Sequence, residues 1–201
     1  MKRMITIGAA ALALALAISG CAYNTANSQW IPLIDGEKGM ENFNALGGAN
    51  WRPEAGAIVA DKSTIKGSSV LVSKRSFKDF EVYAEFWADH DTNSGLYIRC
   101  TNPTNVSSAS AYEAQIWDQN LDQARSTGAL MQAATVPVPP IYKSGGRWNT
   151  MEIYARGDHM TVKLNGVVTV NVMNGDHKSG PIALQQNNGW IKWRKVLVRE
   201  L

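Results

Sequence analysis

Residues 93–118 carry an arginine, a carboxylate, an amide and two aromatic rings at the two-residue spacing of β-strands. In the first half of this stretch, Tyr97 and Arg99 alternate with apolar residues. In the second half, Glu113, Gln115 and Trp117 do the same. Successive side chains of a strand point to opposite faces, so each polar set lies on one face of its strand. If the apolar sets share a core, the five side chains form one polar wall.

The chemistry of this predicted wall suits a sugar. Glu113 and Gln115 would lie ~6.6–6.8 Å apart along one strand, which is about the width of a pyranose ring. A carboxylate beside Arg99 stays ionised and accepts a proton once substrate displaces water. Glu113 is therefore a candidate base beside Arg99. The alternative is an ordinary cross-strand pair of Arg99 and Glu113 on a plain surface.

The same alternation predicts that further side chains lie on this polar wall. Trp87 alternates with apolar residues on its own strand, and with Tyr97 and Trp117 it would give three large rings on a face that is not core. Such an apolar patch needs a partner, and sugar rings stack on aromatic surfaces. Gln185 has the parity opposite to its apolar neighbours, which places its amide on the same wall.

The sequence contains none of several familiar catalytic motifs. It has no G-x-S-x-G, no H-E-x-x-H, no cysteine pair for zinc and no phosphate-binding glycine loop. Asp89, Asp91 and Asn93 could offer oxygens to calcium, but their spacing fits no complete ligand loop and indicates a turn. The sequence predicts neither a metal nor a cofactor.

Short strands must position these residues. About eleven are predicted, with glycine-marked turns between them and no convincing amphipathic helix. Residues 79–88 give the clearest alternation, and Asn165-Gly166 is a strong hairpin signal. This pattern predicts one all-β domain, a sandwich or jelly roll.

The first residues predict export and a lipid anchor. Lys2 and Arg3 precede an apolar run that is too short to span a membrane comfortably, and residues 18–21 resemble a bacterial lipobox ending in Cys21. We therefore expect a signal peptide at 1–20, a lipidated Cys21 in a tether at 21–29, and a domain at 30–201. Ala22 favours the outer membrane, with the protein facing the periplasm. An ordinary secreted protein or an uncleaved anchor are the alternatives.

Charge and cysteine content argue against two other classes, nucleic-acid-binding proteins and disulfide-rich proteins. Cleavage would reduce the basic residues from 20 to 18 against 17 acidic ones, a net charge of +1, which gives no reason to expect nucleic-acid binding. Cys100 would then be the only unmodified cysteine, so no disulfide framework is expected.

A series of short motifs runs through the whole mature chain in order. They include W-x-P-L-x-D-G, N-S-G-L-Y-I-R, Y-E-A-Q-I-W-D, R-W-N, L-N-G and G-P-I-A-L-Q. Together they resemble the 3-keto-disaccharide hydrolase family over residues 30–201. The resemblance implies a concanavalin-like jelly roll that acts on glycosides oxidised at C3. The positions that match the family's motifs are Asn93, Ser94, Gly95, Arg99, Glu113, Gln115, Trp148, Asn149, Asn165, Gly166, Gln185 and Arg194.

Three functions follow as hypotheses. The first is an envelope-anchored enzyme that cleaves 3-keto-glycosides by elimination and hydration. In it Glu113 is the base, Arg99 stabilises the enolate, and Asn93, Gln115 and Gln185 orient the substrate. The second is a carbohydrate-binding lipoprotein without catalysis, and the third is an envelope protein that binds a protein partner.

Overall fold

The computed structural model describes residues 29–61 and 67–201, and this part of the chain is almost entirely β-structure. The predicted signal peptide, Cys21 and all but the last residue of the tether lie outside the described residues. Two single-turn 3-10 helices, Met40–Asn42 and Gln123–Arg125, interrupt the strands. Neither of these described helices is long or apolar enough to cross a membrane.

One sheet has eight strands. Seven of them follow the order β12-β11-β10-β6-β14-β4-β3, and β1 also pairs with β14. These strands pair antiparallel with their neighbours. The strands are Ile31–Asp35 (β1), Arg52–Glu54 (β3), Ala57–Ala60 (β4), Phe80–Ala88 (β6), Arg147–Arg156 (β10), His159–Leu164 (β11), Val167–Met173 (β12) and Ile191–Glu200 (β14).

The other sheet has six strands in the order β2-β5-β13-β7-β8-β9, again antiparallel. These strands are Phe43–Leu46 (β2), Ser69–Phe77 (β5), Ser94–Ile98 (β7), Tyr112–Ile116 (β8), Leu130–Met131 (β9) and Gly180–Gln186 (β13).

The core lies between the two sheets because both contribute one apolar face to it. On β6, Val82, Ala84 and Phe86 are buried in a cluster that also contains Leu96 of β7 and Ile116 of β8. Burying a valine, leucine, isoleucine or phenylalanine side chain contributes about 1.5–3 kcal/mol, and an alanine methyl contributes less. The predicted all-β sandwich is confirmed.

Each sheet also has an outer face that is turned away from this core, and the two outer faces lie on opposite sides of the sandwich. We call the outer face of the six-stranded sheet the Glu113 face, defined by Tyr97, Glu113, Gln115 and Gln185. We call that of the eight-stranded sheet the Trp87 face, defined by Glu81, Tyr83, Glu85 and Trp87. The predicted polar wall therefore divides between two surfaces.

Candidate functional site

Three neighbouring strands bring the central residues of the Glu113 face together. Tyr97 of β7 is directly paired with Glu113 of β8 on one side and with Ala183 of β13 on the other. Gln115 is paired with Gly95 in the next row of the same two strands. Directly paired residues of antiparallel strands share a face, with Cβ atoms about 4.5–5.5 Å apart. The predicted grouping of Glu113, Gln115 and Tyr97 is therefore present.

Gln185 connects this group through hydrogen bonds. Its Nε2 donates to the Tyr97 hydroxyl at 2.8 Å and to Ser68 Oγ at 3.1 Å. Its Oε1 is buried and has no hydrogen-bond partner among the described residues. Leaving a buried acceptor unpaired costs about 1–3 kcal/mol. Such an acceptor is suited to receive a hydroxyl of a bound ligand.

Burial controls the charge of Glu113. The residue is only 5% exposed, and this burial raises the pKa of its carboxyl to about 7, against the opposing effect of the Tyr97 hydroxyl. The pKa of Tyr97 is raised as well, mainly by burial and then by the neighbouring Glu113 charge. Tyr97 is therefore a neutral hydrogen-bond donor near pH 7. Glu113 is a carboxyl that exchanges its proton near neutral pH, which is what a general base requires.

Gln115 and Trp117 are the remaining predicted residues on or directly after β8. Gln115 Oε1 accepts a hydrogen bond from the Ile116 backbone N–H at 3.1 Å. Its Nε2 donates to no acceptor in the described ranges and is free for a ligand. Trp117, directly after β8, is half-buried and is held by a bond from its backbone N–H to Thr127 Oγ1 at 2.9 Å.

The prediction that Arg99 meets Glu113 is wrong. Strand β7 ends at Ile98, and Arg99 adopts a left-handed backbone with φ of 54°, so the alternation of the strand stops there. The guanidinium is fully buried and donates to the carbonyls of Lys78, Gly157 and His177. It thus connects three chain segments, forms an ion pair with Asp79 at 3.4 Å and does not lie beside Glu113.

Ser94 differs from its expected role in touching substrate, and the neighbouring Asn93 is half-buried at the start of the same strand. The Ser94 hydroxyl is fully buried and donates to the backbone carbonyl of Gln185 at 2.6 Å. Asn93 is paired through its backbone with Asn188, which joins the start of β7 to the segment after β13. In this structure both residues hold strands β7 and β13 together at the end of the site.

Trp87, Trp148 and Arg194 lie on the opposite face of the sandwich from Glu113, so they cannot share its ligand. Trp148 is paired with Trp87 across β10 and β6 of the eight-stranded sheet. The Arg194 guanidinium lies 4.2 Å from the centre of the Trp148 ring and forms an ion pair with Glu85. Parity correctly indicated that Trp87 points away from the core, but it did not indicate which sheet the strand belongs to.

The loop that could have offered calcium ligands is a hydrogen-bonded turn. Asp89 Oδ1 accepts from the Asp91 backbone N–H at 3.1 Å and from Thr92 Oγ1 at 2.7 Å. Asp89 Oδ2 accepts from the Trp190 backbone N–H at 3.0 Å. Within residues 29–61 and 67–201, no group of three His, Cys, Asp or Glu side chains is placed to hold a metal ion.

Comparisons with known proteins agree with this architecture. A family model described as the 3-keto-alpha-glucoside-1,2-lyase-like domain matches residues 29–199. A crystal structure from Parabacteroides distasonis, named as a candidate glycosyl hydrolase, is similar with a TM-score of 0.74 and 16% identity. That match covers 87% of this chain and 95% of the other. No curated protein matches the chain.

Two further solved structures share the fold. A second candidate glycosyl hydrolase from Parabacteroides distasonis has a TM-score of 0.67 and 22% identity, over 86% of this chain and 100% of the other. The carbohydrate-binding module CBM66 from Bacillus subtilis has a TM-score of 0.60 and 14% identity, over 79% and 96%. The sandwich is thus shared by proteins named as hydrolases and by a binding module.

Proposed function

The chain belongs to the family of 3-keto-alpha-glucoside-1,2-lyase-like domains, and from that membership and the buried Glu113 cluster we propose that it cleaves glycosides oxidised at C3. The observation that carries the proposal is that the Glu113 carboxyl is almost fully buried and directly paired with Tyr97, a position in which burial raises its pKa to about 7. This combination suits the removal of a carbon-bound proton, because such a base has to be ionised and poorly solvated at the same time.

The proposed reaction begins at C2 of the sugar. A ketone at C3 acidifies the C2 proton, which the Glu113 carboxylate removes, and the electron pair of the C–H bond forms the enolate of the C3 ketone. The enolate then expels the glycosidic oxygen from C1 and leaves a C1–C2 double bond. Glu113 returns its proton to the departing oxygen. Water then adds across the double bond, and the net change is hydrolysis.

The neighbouring groups supply orientation and charge stabilisation. Gln115 Nε2 and the neutral Tyr97 hydroxyl are the donors next to the carboxylate, and either can bond the enolate oxygen. Gln185 Oε1 accepts a sugar hydroxyl in place of the partner that it lacks within the protein. Trp117 offers a half-buried ring at the rim on which a sugar can stack. In this assignment Arg99 takes no part in the chemistry.

A second candidate function is binding of carbohydrate without cleavage. It is supported by the position of Arg99, because the fold removes the one cation that the sequence placed beside Glu113. Under this alternative the Glu113 cluster recognises sugar hydroxyls and turns nothing over.

One assay separates the two functions. Purified wild-type protein and Glu113→Gln are incubated with a 3-keto-glucoside, and release of the aglycone and binding are measured in parallel. Enzymatic function requires turnover by wild type and a loss of at least about 100-fold in Glu113→Gln. Binding of the keto sugar by both proteins with no product from either would establish the alternative. The exposed Glu200→Gln serves as the matched control and should resemble wild type.

The location of the protein is a separate proposal. We propose that Cys21 carries lipid and holds the domain at the cell envelope, on the periplasmic side of the outer membrane. The test is incorporation of labelled palmitate into wild type and into Cys21→Ser. The proposal fails if both proteins are labelled equally or if both remain in the soluble fraction.

A further inference from the structure

The Trp87 face contains a groove that the Glu113 chemistry does not use. It crosses β11, β10, β6 and β14 of the eight-stranded sheet and has a volume of about 190 Å³. Pockets for drug-sized ligands measure about 300–1,000 Å³, so this groove holds a group no larger than one ring. It lies on the opposite side of the sandwich from Glu113 and is therefore a separate site.

Tyrosines and carboxylates alternate on the floor of the groove. Glu152 of β10 is paired with Tyr83 of β6, and Tyr154 of β10 is paired with Glu81 of β6. The two tyrosines are therefore diagonal neighbours, about 7–8 Å apart by the geometry of antiparallel strands. Trp30 closes one end, with the Arg199 guanidinium 4.9 Å from its ring centre. Aromatic rings beside hydrogen-bonding carboxylates are the elements that recognise a sugar, whose ring has an apolar face and a polar edge.

The charges of the groove balance. Arg199 forms an ion pair with Glu81, and Lys163 lies 3.8 Å from Glu152, so two cations match two carboxylates. All four side chains are between 26% and 44% exposed, which leaves their polar atoms accessible. A charged ligand would find no excess of opposite charge here, whereas hydroxyl groups would find both donors and acceptors. The occupant that fits this balance is a neutral sugar.

The surface beyond the groove extends the same chemistry. Tyr83 donates to Glu85 at 2.8 Å, and Glu85 pairs with Arg194, which covers the Trp148 ring. Along β6 the outward residues from Glu81 to Trp87 span about 20 Å. This length accommodates more than one sugar unit. It also gives a role to Trp87, Trp148 and Arg194, which the fold separates from Glu113.

We propose that the Trp87 face is a second carbohydrate-binding surface that takes one ring of a neutral glycan between Tyr83 and Tyr154. This surface holds the glycan whether or not Glu113 cleaves a substrate, so the proposal is independent of the proposed cleavage. A domain with both surfaces can remain attached to a polymer on one side while the other side acts on a small glycoside.

The test is a titration of the purified protein with maltose, cellobiose and digalacturonic acid, followed by ¹H–¹⁵N NMR. We expect shifts of the Thr161 and Tyr154 amides and of the Trp30 indole N–H with a neutral disaccharide, and none at Glu113. Tyr154→Ala should weaken this binding about tenfold or more. Thr161→Arg, which fills the groove from the next strand and removes no ring, should do the same. Val168→Ala, on β12 outside the groove, is the matched control and should bind like wild type.

Activity distinguishes this proposal from the one concerning Glu113. Both groove variants should cleave a soluble 3-keto-glucoside with unchanged kcat/KM if wild type cleaves it, and Glu113→Gln should still bind the neutral disaccharide. The proposal is overturned if both groove variants bind like wild type. It is also overturned if neither neutral sugar binds, or if digalacturonic acid binds more tightly than both.

Discussion

The carboxylate of Glu113 lies directly over the backbone of Gly95, on the neighbouring strand. A Cβ atom on Gly95 would be 2.6 Å from Glu113 Oε1 and 2.8 Å from Glu113 Cγ. Both distances are shorter than van der Waals contact, so position 95 admits no side chain while the carboxylate keeps its place. The absence of a side chain at Gly95 therefore sets where the candidate base can lie.

Gly95→Ala should displace the Glu113 carboxylate and lower kcat/KM by about 100-fold, because a shift of about 1 Å in a catalytic group has an effect of this size. The measurement is turnover of a 3-keto-glucoside together with thermal unfolding. In a Glu113→Gln background the same substitution should have little further effect on activity, since the group through which it acts is already lost. Equal losses in both backgrounds would mean that Gly95 does not act through Glu113.

The buried Glu113 carboxyl should make the protein less stable as the pH rises. Its pKa is 4.5 for an exposed group and about 7 in the fold, so between these values the folded state binds more protons than the unfolded state. The stability contribution is fully present below pH 4.5, declines as pH rises towards 7 and is absent above it. A pKa difference of this size corresponds to a change of about 3 kcal/mol in the free energy of unfolding.

Urea unfolding of wild type and Glu113→Gln at several pH values measures this effect. The two proteins should be of similar stability near pH 4.5, and the variant should be more stable by about 3 kcal/mol at pH 8. Glu200→Gln, an exposed control, should follow wild type at every pH. A constant difference between Glu113→Gln and wild type would show that Glu113 titrates as an ordinary carboxyl.

Much of the fold could be predicted from the sequence because the strands alternate strictly. The clearest predicted strand, residues 79–88, is β6 (Phe80–Ala88), and the predicted Asn165-Gly166 hairpin joins β11 to β12. Strand β5, Ser69–Phe77, lacks this signal in its second half, because residues 74–76 are polar or charged, exposed and without apolar alternation. Alternation with a period of two does not identify a strand segment whose two faces are both polar.

The sequence predicted which residues of one strand share a face of the candidate site, but it predicted less well how different strands lie relative to one another. Glu113 and Gln115 share a face as expected because β8 continues regularly through both. Arg99 could not be placed, since parity assumes that the strand continues and β7 ends one residue earlier. Trp87 was assigned to the wrong side because local alternation carries no information about which sheet a strand joins. Sheet membership depends on pairing with residues distant in sequence, such as Lys192.

Replacing Gln185 should separate binding from stability. In Gln185→Met the side chain loses its bonds to Tyr97 and Ser68, but the unpaired buried Oε1 is also removed. These effects oppose each other, so the free energy of unfolding should change by no more than about 1 kcal/mol. The KM for a 3-keto-glucoside should increase about tenfold, because the acceptor for a sugar hydroxyl is gone. A large loss of stability with unchanged KM would make Gln185 a purely structural residue.

Arg99→Met should test whether this arginine supports the fold or the chemistry. The substitution leaves the carbonyls of Lys78, Gly157 and His177 without the buried guanidinium that they now share. Leaving a buried acceptor without a partner costs about 1–3 kcal/mol, and with three such carbonyls we expect a loss of at least about 3 kcal/mol in the free energy of unfolding. The fraction that remains folded should keep kcat/KM within about threefold of wild type, since Arg99 makes no bond to Glu113. Arg156→Met, at an exposed position, is the matched control and should change neither quantity. An Arg99→Met protein with normal stability and a 100-fold lower kcat/KM would instead place the guanidinium at the substrate, because only contact with reacting atoms separates activity from stability in this way.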